Sequence, residues 1–154
     1  IGVIAACAVA VSAASWVVFP RSFIRFGILH SIAVASVLAW PFARRPRMAL
    51  VIGGVGIVAG LGWSHPAYDA DPLSWIGFVT AKPATEDYVP LAPWAGVVFL
   101  GIALGHRLAS GAFRALAPIA PAPRWLRWLG QHSLAVYMVH QPILLGVLWL
   151  AFGR

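Results

Sequence analysis

The sequence predicts an all-α, polytopic transmembrane bundle of about five spans, and three observations carry that prediction. First, 61% of its 154 residues are hydrophobic and only 10% are charged, with a mean hydropathy of +0.86. That lies far from the roughly one-quarter charged composition of soluble domains. Second, several apolar runs approach the ~20 residues that a helix needs to cross a ~30 Å hydrocarbon core. Third, the charges and most prolines gather in the short segments between those runs, and no ten-residue alternation suggests membrane strands.

The first run, "IGVIAACAVAVSAASWVVF", predicts a helix over Ile1–Phe19, closed by Pro20. No basic segment precedes it, so it reads as a true span rather than a cleaved signal. Because the chain enters this span at once from Ile1, the 154 residues are expected to be the C-terminal part of a single membrane-embedded domain whose earlier spans are missing. Cys7, the one cysteine, has no partner in the sequence and is expected to pack; neither a disulfide framework nor a metal cluster is implied. A second helix is predicted over Phe23–Trp40. Pro41 and Pro46 bracket the turn "PFARRPR", and a third helix follows over Met48–Trp63. The loop from Ser64 to Val89 holds all four acidic residues, Asp69, Asp71, Glu86 and Asp87, and is long enough for a function or a small interfacial helix in "DPLSWIGFV". A fourth helix spans Tyr88–His106 and a fifth Trp128–Phe152. Gly56 with Gly60, and Gly101 with Gly105, form small-xxx-small pairs that favour close helix packing in lipid.

The formal net charge of +7 does not point to nucleic acid. No basic stripe is interleaved with exposed aromatics, and cations in so hydrophobic a chain belong beside phospholipid headgroups. Trp16, Trp40, Trp63, Trp94, Trp125 and Trp128 fall near predicted span ends, as interfacial anchors do. Arg44, Arg45, Arg47, Arg107, Arg114, Arg124 and Arg127 fall on one side of the predicted topology, against Arg21, Arg25, Lys82 and Arg154 on the other. The positive-inside bias therefore puts the arginine-rich connections in the cytoplasm and the acidic loop, residues 64–89, outside.

Polar residues inside spans need a reason, because an unpaired one is costly in lipid. On the fifth helix Ser133, Tyr137 and His140 follow at spacings of four and three, which stacks them on one face. Counting ~1.5 Å per residue puts His140 ~12 Å beneath the outer surface and His30, on the second helix, ~10 Å beneath it. That near-coincidence predicts two histidines lining one cavity, with helix-bridging hydrogen bonds as the plainer alternative. Pro142 is expected to open the helix beside His140 by leaving the Met138 carbonyl free. At the start of the fourth helix, Thr85 or Asp87 is expected to cap, while Asp87 and Tyr88 are placed to orient an acceptor or a histidine. His106 and His132 read as interfacial, and His65 as a solvated loop residue. Ser133 and His140 are two helical turns apart, too far to form a hydrolase dyad.

Three stretches, "FIRFGILHSIAVASVL", "EDYVPLAPWAGVVFLGIALGH" and "WLGQHSLAVYMVHQPILL", resemble in order and spacing the C-terminal part of bacterial membrane proteins with a heparan-alpha-glucosaminide N-acetyltransferase catalytic domain. The last is also similar to the "LG-x-x-S-x-x-x-Y-x-x-H" ending of the wider integral-membrane acyltransferases. The resemblance implies an inner-membrane enzyme that takes an acetyl or other acyl group from cytoplasmic acyl-coenzyme A, acetyl-CoA above all, with no metal. The acceptor would be a glycan or small molecule reached from the opposite face. It makes His30 and His140 the catalytic, cavity-lining candidates, and Asp87, Tyr88, Ser133, Tyr137 and Gln141 the substrate-orienting ones. Arg44, Arg45, Arg107 and Arg127 become candidates for the coenzyme A phosphates, with membrane lipid as the competing partner. The family's proposed catalytic histidine and its Asp-x-x-Arg-Gly motif belong to an earlier region that this sequence does not contain. A transporter or flippase, or a structural subunit, are the competing functions, and self-association into a homo-oligomer is left open.

Overall fold

The computed structural model describes residues 1–111 and 123–153, apart from the side chains of Gln141 and Leu145. The described residues form seven α-helices and two short 3₁₀ turns, so the all-α class holds. The chain divides into two compact units, Ile1–Arg114 and Ala115–Arg154.

In the first unit, α1 covers Gly2–Val18 and ends where the Phe19 amide donates to Ser15 O at 2.7 Å, just before Pro20. Helix α2 covers Ile28–Ala39 and runs into a 3₁₀ turn at Trp40–Phe42. It starts five residues later than hydropathy predicts, at Ile28 instead of Phe23, because the apolar segment before it is held by α1. The Ile24 amide donates to the Ser15 hydroxyl at 3.0 Å, and the Ser12 hydroxyl donates to Ile24 O at 2.6 Å, so this backbone is satisfied without coiling. Helix α3 covers Pro46–Gly62, with Pro46 at its first position, where a missing amide hydrogen costs nothing. The acidic loop contains a 3₁₀ turn at Pro66–Asp69 and a short α4 at Asp71–Ser74, within the stretch expected to hold a small helix.

Helix α5 covers Leu91–Ala109 and is entered through an extended residue, Ala92 (φ −94°, ψ 132°). Its predicted start at Tyr88 is too early. The amides of Leu91 and Ala92 donate at 2.8 Å to Trp75 O and Ile76 O of the loop, and Pro90 and Pro93 flank a backbone that resists helical torsions.

The core of this unit is built from small side chains. Ala8, Ala33, Ala35, Ala39, Ala49 and Ala103 are buried together with Ile24, Leu29 and Phe99, while Val55, Val58 and Leu61 face outward at 63–76% exposure. Helices that bury alanine and expose valine and leucine are packed for an apolar solvent. The closest approach joins α3 to α5. A Cβ on Gly53 would lie 2.8 Å from Gly96 O, and one on Gly60 would lie 2.8 Å from the Pro93 Cα. Gly56 sits against Gly96 as well, so the Gly56/Gly60 pair packs as expected. Gly101 and Gly105 do not: a Cβ on either meets nothing within 4 Å, because the partner glycine of α5 is Gly96, one and a half turns earlier.

The second unit holds α6, Arg124–Gln131, and α7, Ser133–Phe152. The single fifth helix of the sequence reading is thus two, with the break at His132 (φ −107°, ψ 22°). Helix α6 alternates Arg124 and Arg127 with Trp125, Leu126, Trp128 and Leu129 in the pattern of an interfacial segment. Helix α7 continues through Pro142, which has no amide hydrogen to give the Met138 carbonyl. Among the described residues α5 and α7, with mean hydropathies of 1.4 and 1.7, have the length and composition to cross a membrane; α1, α2 with its turn, and α3 are apolar but shorter.

Candidate functional site

The polar chemistry of the first unit gathers where α1 ends and α2 begins. Ser12 and Ser15 lie three residues apart on α1 and tie down the Ile24 backbone from the inside. His30, in the first turn of α2, lies against the same serines: its Nε2 is 3.4 Å from the Ser12 hydroxyl oxygen. Its Nδ1 accepts the Gly27 amide at 3.4 Å, the reach-back half of a capping box. A ring nitrogen that accepts carries no proton, so the neutral His30 keeps its hydrogen on Nε2, aimed at Ser12. Phe26 flanks the ring, with centroids 5.7 Å apart.

Residues 85–90 close over this end from the far side of the loop. Asp87 caps α2 and not α5: its Oδ2 accepts the Ile28 amide at 2.8 Å, placing a carboxylate at a helix N-terminus, where the backbone dipole favours it. The absent side chain of Gly27 makes room, since a Cβ there would meet the Asp87 carboxyl carbon at 2.9 Å. Thr85 donates to Phe23 O at 2.8 Å, the Glu86 amide to Ser22 O at 2.9 Å, the Ser22 hydroxyl to Glu86 Oε1 at 2.5 Å, and Ser31 to Pro90 O at 3.3 Å. Helix α5 starts behind Pro90 with no side-chain cap, so the capping expected of Thr85 or Asp87 serves a different helix.

Outside this clasp lies a cleft of about 390 Å³ whose lining includes Arg21, Arg25, Phe26, Lys82 and Tyr88. The Tyr88 hydroxyl donates to Ser74 O at 2.6 Å, and burial, then the nearby Asp69 charge, push its pKa above the usual phenol value. Asp69 also borders the cleft. Its carboxylate accepts the Thr80 hydroxyl, the Thr80 amide at 2.7 Å and the Ala81 amide at 3.4 Å, and these hydrogen bonds, led by the hydroxyl, hold its pKa below the ordinary carboxylate value. Arg25 pairs with Asp71 and lies 5.3 Å from the Phe23 ring centroid.

The opposite end of the first unit carries the arginines. His106, on the last turn of α5, meets Ala43 O through Nε2 at 2.7 Å, which brings Arg107 to the same end as Arg44 and Arg45. All three arginines are exposed.

In the second unit Ser133, Tyr137 and His140 share one face of α7. His140 Nδ1 meets Tyr137 O at 2.5 Å, and the two rings are 5.4 Å apart. A carbonyl only accepts, so Nδ1 carries a hydrogen, and in the neutral ring Nε2 holds the lone pair. Ser133 opens the helix and is exposed; the side chain of Gln141 lies outside the described residues. Arg127 sits on α6, and His132 Nδ1 lies 2.9 Å from Trp128 O.

His30 stands two residues into α2, ~3 Å from its start, whereas His140 stands seven residues into α7, ~10 Å from its start and ~18 Å from Phe152. Sequence reasoning also missed Ser12, Ser15, Arg21, Arg25 and Asp69. The serines had a signal, a spacing of three on one face of an apolar helix; the cleft residues had none, since turns bring them together.

One comparison with known proteins identifies the chain. No curated protein and no solved structure matches it significantly. The family model described as "Heparan-alpha-glucosaminide N-acetyltransferase, catalytic" matches residues 1–142, a span that includes the α1–α2 clasp, the cleft, the arginine end and His140. The chain belongs to the heparan-alpha-glucosaminide N-acetyltransferase catalytic family, a family of membrane-embedded, N-acetyltransferase-like domains.

Proposed function

We propose that this chain forms part of an inner-membrane acyltransferase that moves an acetyl or other acyl group from acyl-coenzyme A to a hydroxyl or amine of a glycan or small acceptor. The observation that carries this reading is the family match over residues 1–142. The two chemically distinct ends of the first unit support it. Arg44, Arg45 and Arg107 gather at one, and the clasp and cleft form the other. In this reading the spans number five and the arginine end faces the cytoplasm. There Arg44, Arg45 and Arg107 grip the donor phosphates with guanidinium groups that have no side-chain partner among the described residues.

His140 is the general base. Its Nε2 lone pair takes the proton of the acceptor hydroxyl or amine as that atom attacks the thioester carbonyl; the coenzyme A thiolate leaves and receives the proton back from the imidazolium. The Tyr137 carbonyl fixes the tautomer this step requires, as second groups do for catalytic imidazoles. His30 positions the start of α2, Asp87 holds that helix end, and Tyr88 braces the loop, while Ser133, Tyr137 and Gln141 orient the acceptor. Transport without chemistry is the competing reading, since Pro142 inside α7 leaves the Met138 carbonyl without its helical donor.

Acetyl-CoA consumption by the full-length protein in membranes tests the proposal. Turnover in the parent, with a loss in His140→Gln and its retention in His30→Gln, is the expected result. Labelled acceptor crossing the membrane with no thioester consumed would establish the transporter instead.

A further inference from the structure

The acyl-transfer reading makes no use of the cations around the cleft beside Phe26. Arg21, Arg25 and Lys82 line it together with the carboxylates Asp69 and Asp71. Both carboxylates, though exposed, are already engaged by donors of the protein. Asp69 is filled by the Thr80 hydroxyl and the amides of Thr80 and Ala81, and Asp71 is paired with Arg25. The hydroxyls are committed too: Tyr88 donates to Ser74 O, and Thr85 to Phe23 O. What remains are Arg21 and Lys82, whose side chains make no hydrogen bond or ion pair among the described residues. The uncommitted polar groups of the wall are therefore cationic donors, and the ligand that matches them is an acceptor carrying negative charge.

Size narrows the class further. At about 390 Å³ the cleft falls in the range of small-molecule sites, ~300–1,000 Å³, and exceeds the needs of a bare oxyanion. Phe26 supplies an apolar wall on which a ring or chain can lie, and its own ring is fixed between His30 and Trp75, with centroids 5.7 and 5.6 Å away.

We propose that this cleft binds a small, water-soluble organic anion, its carboxylate, phosphate or sulfate between Arg21 and Lys82 and its body against Phe26. The Arg25–Asp71 pair competes for the same anion by holding one guanidinium out of the site. This binding is independent of acyl transfer, and its readout is affinity rather than turnover.

Calorimetric titration of the full-length protein in phosphatidylcholine nanodiscs at low salt tests it, with phenyl phosphate, inorganic phosphate and uncharged phenol as probes. Phenyl phosphate binds most tightly, inorganic phosphate more weakly, and phenol not at all. The double variant Arg21→Gln/Lys82→Gln, whose exposed side chains leave no partner behind, keeps its melting temperature and loses at least ~10-fold in affinity for phenyl phosphate. Phe26→Ala reduces phenyl phosphate to the level of inorganic phosphate. Asp71→Asn frees Arg25 and tightens binding several-fold, a gain that a merely structural role for the ion pair does not give. Unaltered affinity in the double variant, no binding by the parent, or weaker binding in Asp71→Asn overturns the proposal. So does binding abolished when phosphatidylglycerol replaces the neutral lipid, which reassigns the cations to a headgroup.

Discussion

His30 and His140 carry their ring hydrogens on opposite nitrogens. His30 accepts a backbone amide at Nδ1 and directs Nε2–H at Ser12, so both nitrogens are engaged inside the fold. His140 directs its Nδ1 hydrogen at Tyr137 O, which in the neutral ring leaves the lone pair on Nε2. The same residue type, in two apolar helices, thus becomes a helix-end clasp in one unit and a candidate base in the other. The difference lies in the neighbouring backbone: an unsatisfied amide waits at the start of α2, whereas three residues back in α7 a carbonyl points at the ring.

The sharpest way to break this comparison is to substitute both rings by an amide. If His140 is the base of the proposed acyl transfer, His140→Gln lowers turnover in membranes by ~10²–10⁴-fold, the usual worth of a positioned general base, while His30→Gln keeps the reach-back to Gly27 and retains most activity. Equal losses in both variants, measured as acetyl-CoA consumption, would erase the distinction.

Packing separates the units as strongly. Gly96→Val drives a side chain into Gly53 O and Ile57, and thermal melting in detergent is expected to show a loss of ~3 kcal/mol or more; Gly146→Val on α7 meets nothing within 4 Å and leaves the melt unchanged.

The clasp itself answers to Asp87. Removing its carboxylate in Asp87→Ala costs ~1–2 kcal/mol through the lost cap of α2, and Asp87→Asn, which still accepts the Ile28 amide, costs less than half of that.

Acid gives the smallest effect and confines it to the loop. The folded pKa of Asp69 is lowered, so its contribution to stability is complete at a pH above its unfolded value, ~3.9, and is lost as pH falls through the folded value. Loop residues 66–81 are expected to become protease-sensitive below about pH 3.9 and to stay protected at pH 5, with Thr80→Val moving that onset upward.

Much of the architecture was legible because hydropathy and proline positions report directly on local backbone preference. Five apolar helices of about the right extent, the Arg44–Arg45 turn, a loop with a small helix and the exposed tryptophans all follow from that. The late starts of α2 and α5 share one cause. Phe23–Gly27 is apolar enough to enter a helix, yet Ser12 and Ser15 satisfy its backbone from α1; Tyr88 and Val89 are helix-compatible, yet the following amides find Trp75 O and Ile76 O. In each case a distant partner outcompeted the local coil. Gly96 escaped notice for a related reason: a small-xxx-small pattern marks a helix that can pack closely but does not say which turn its neighbour will use.

By itself the sequence determined an all-α, apolar chain with its cations grouped at chosen connections, because helix formation and burial in lipid depend on short-range composition. It also carried the ordered motifs that mark its family. Only the tertiary structure decided that Asp87 caps α2 rather than α5, that Ser12 and Ser15 hold the Ile24 backbone, and that Arg21 and Lys82 share a cleft. Those outcomes depend on which groups, up to some sixty residues apart in the chain, the turns bring together, and no local rule supplies that meeting.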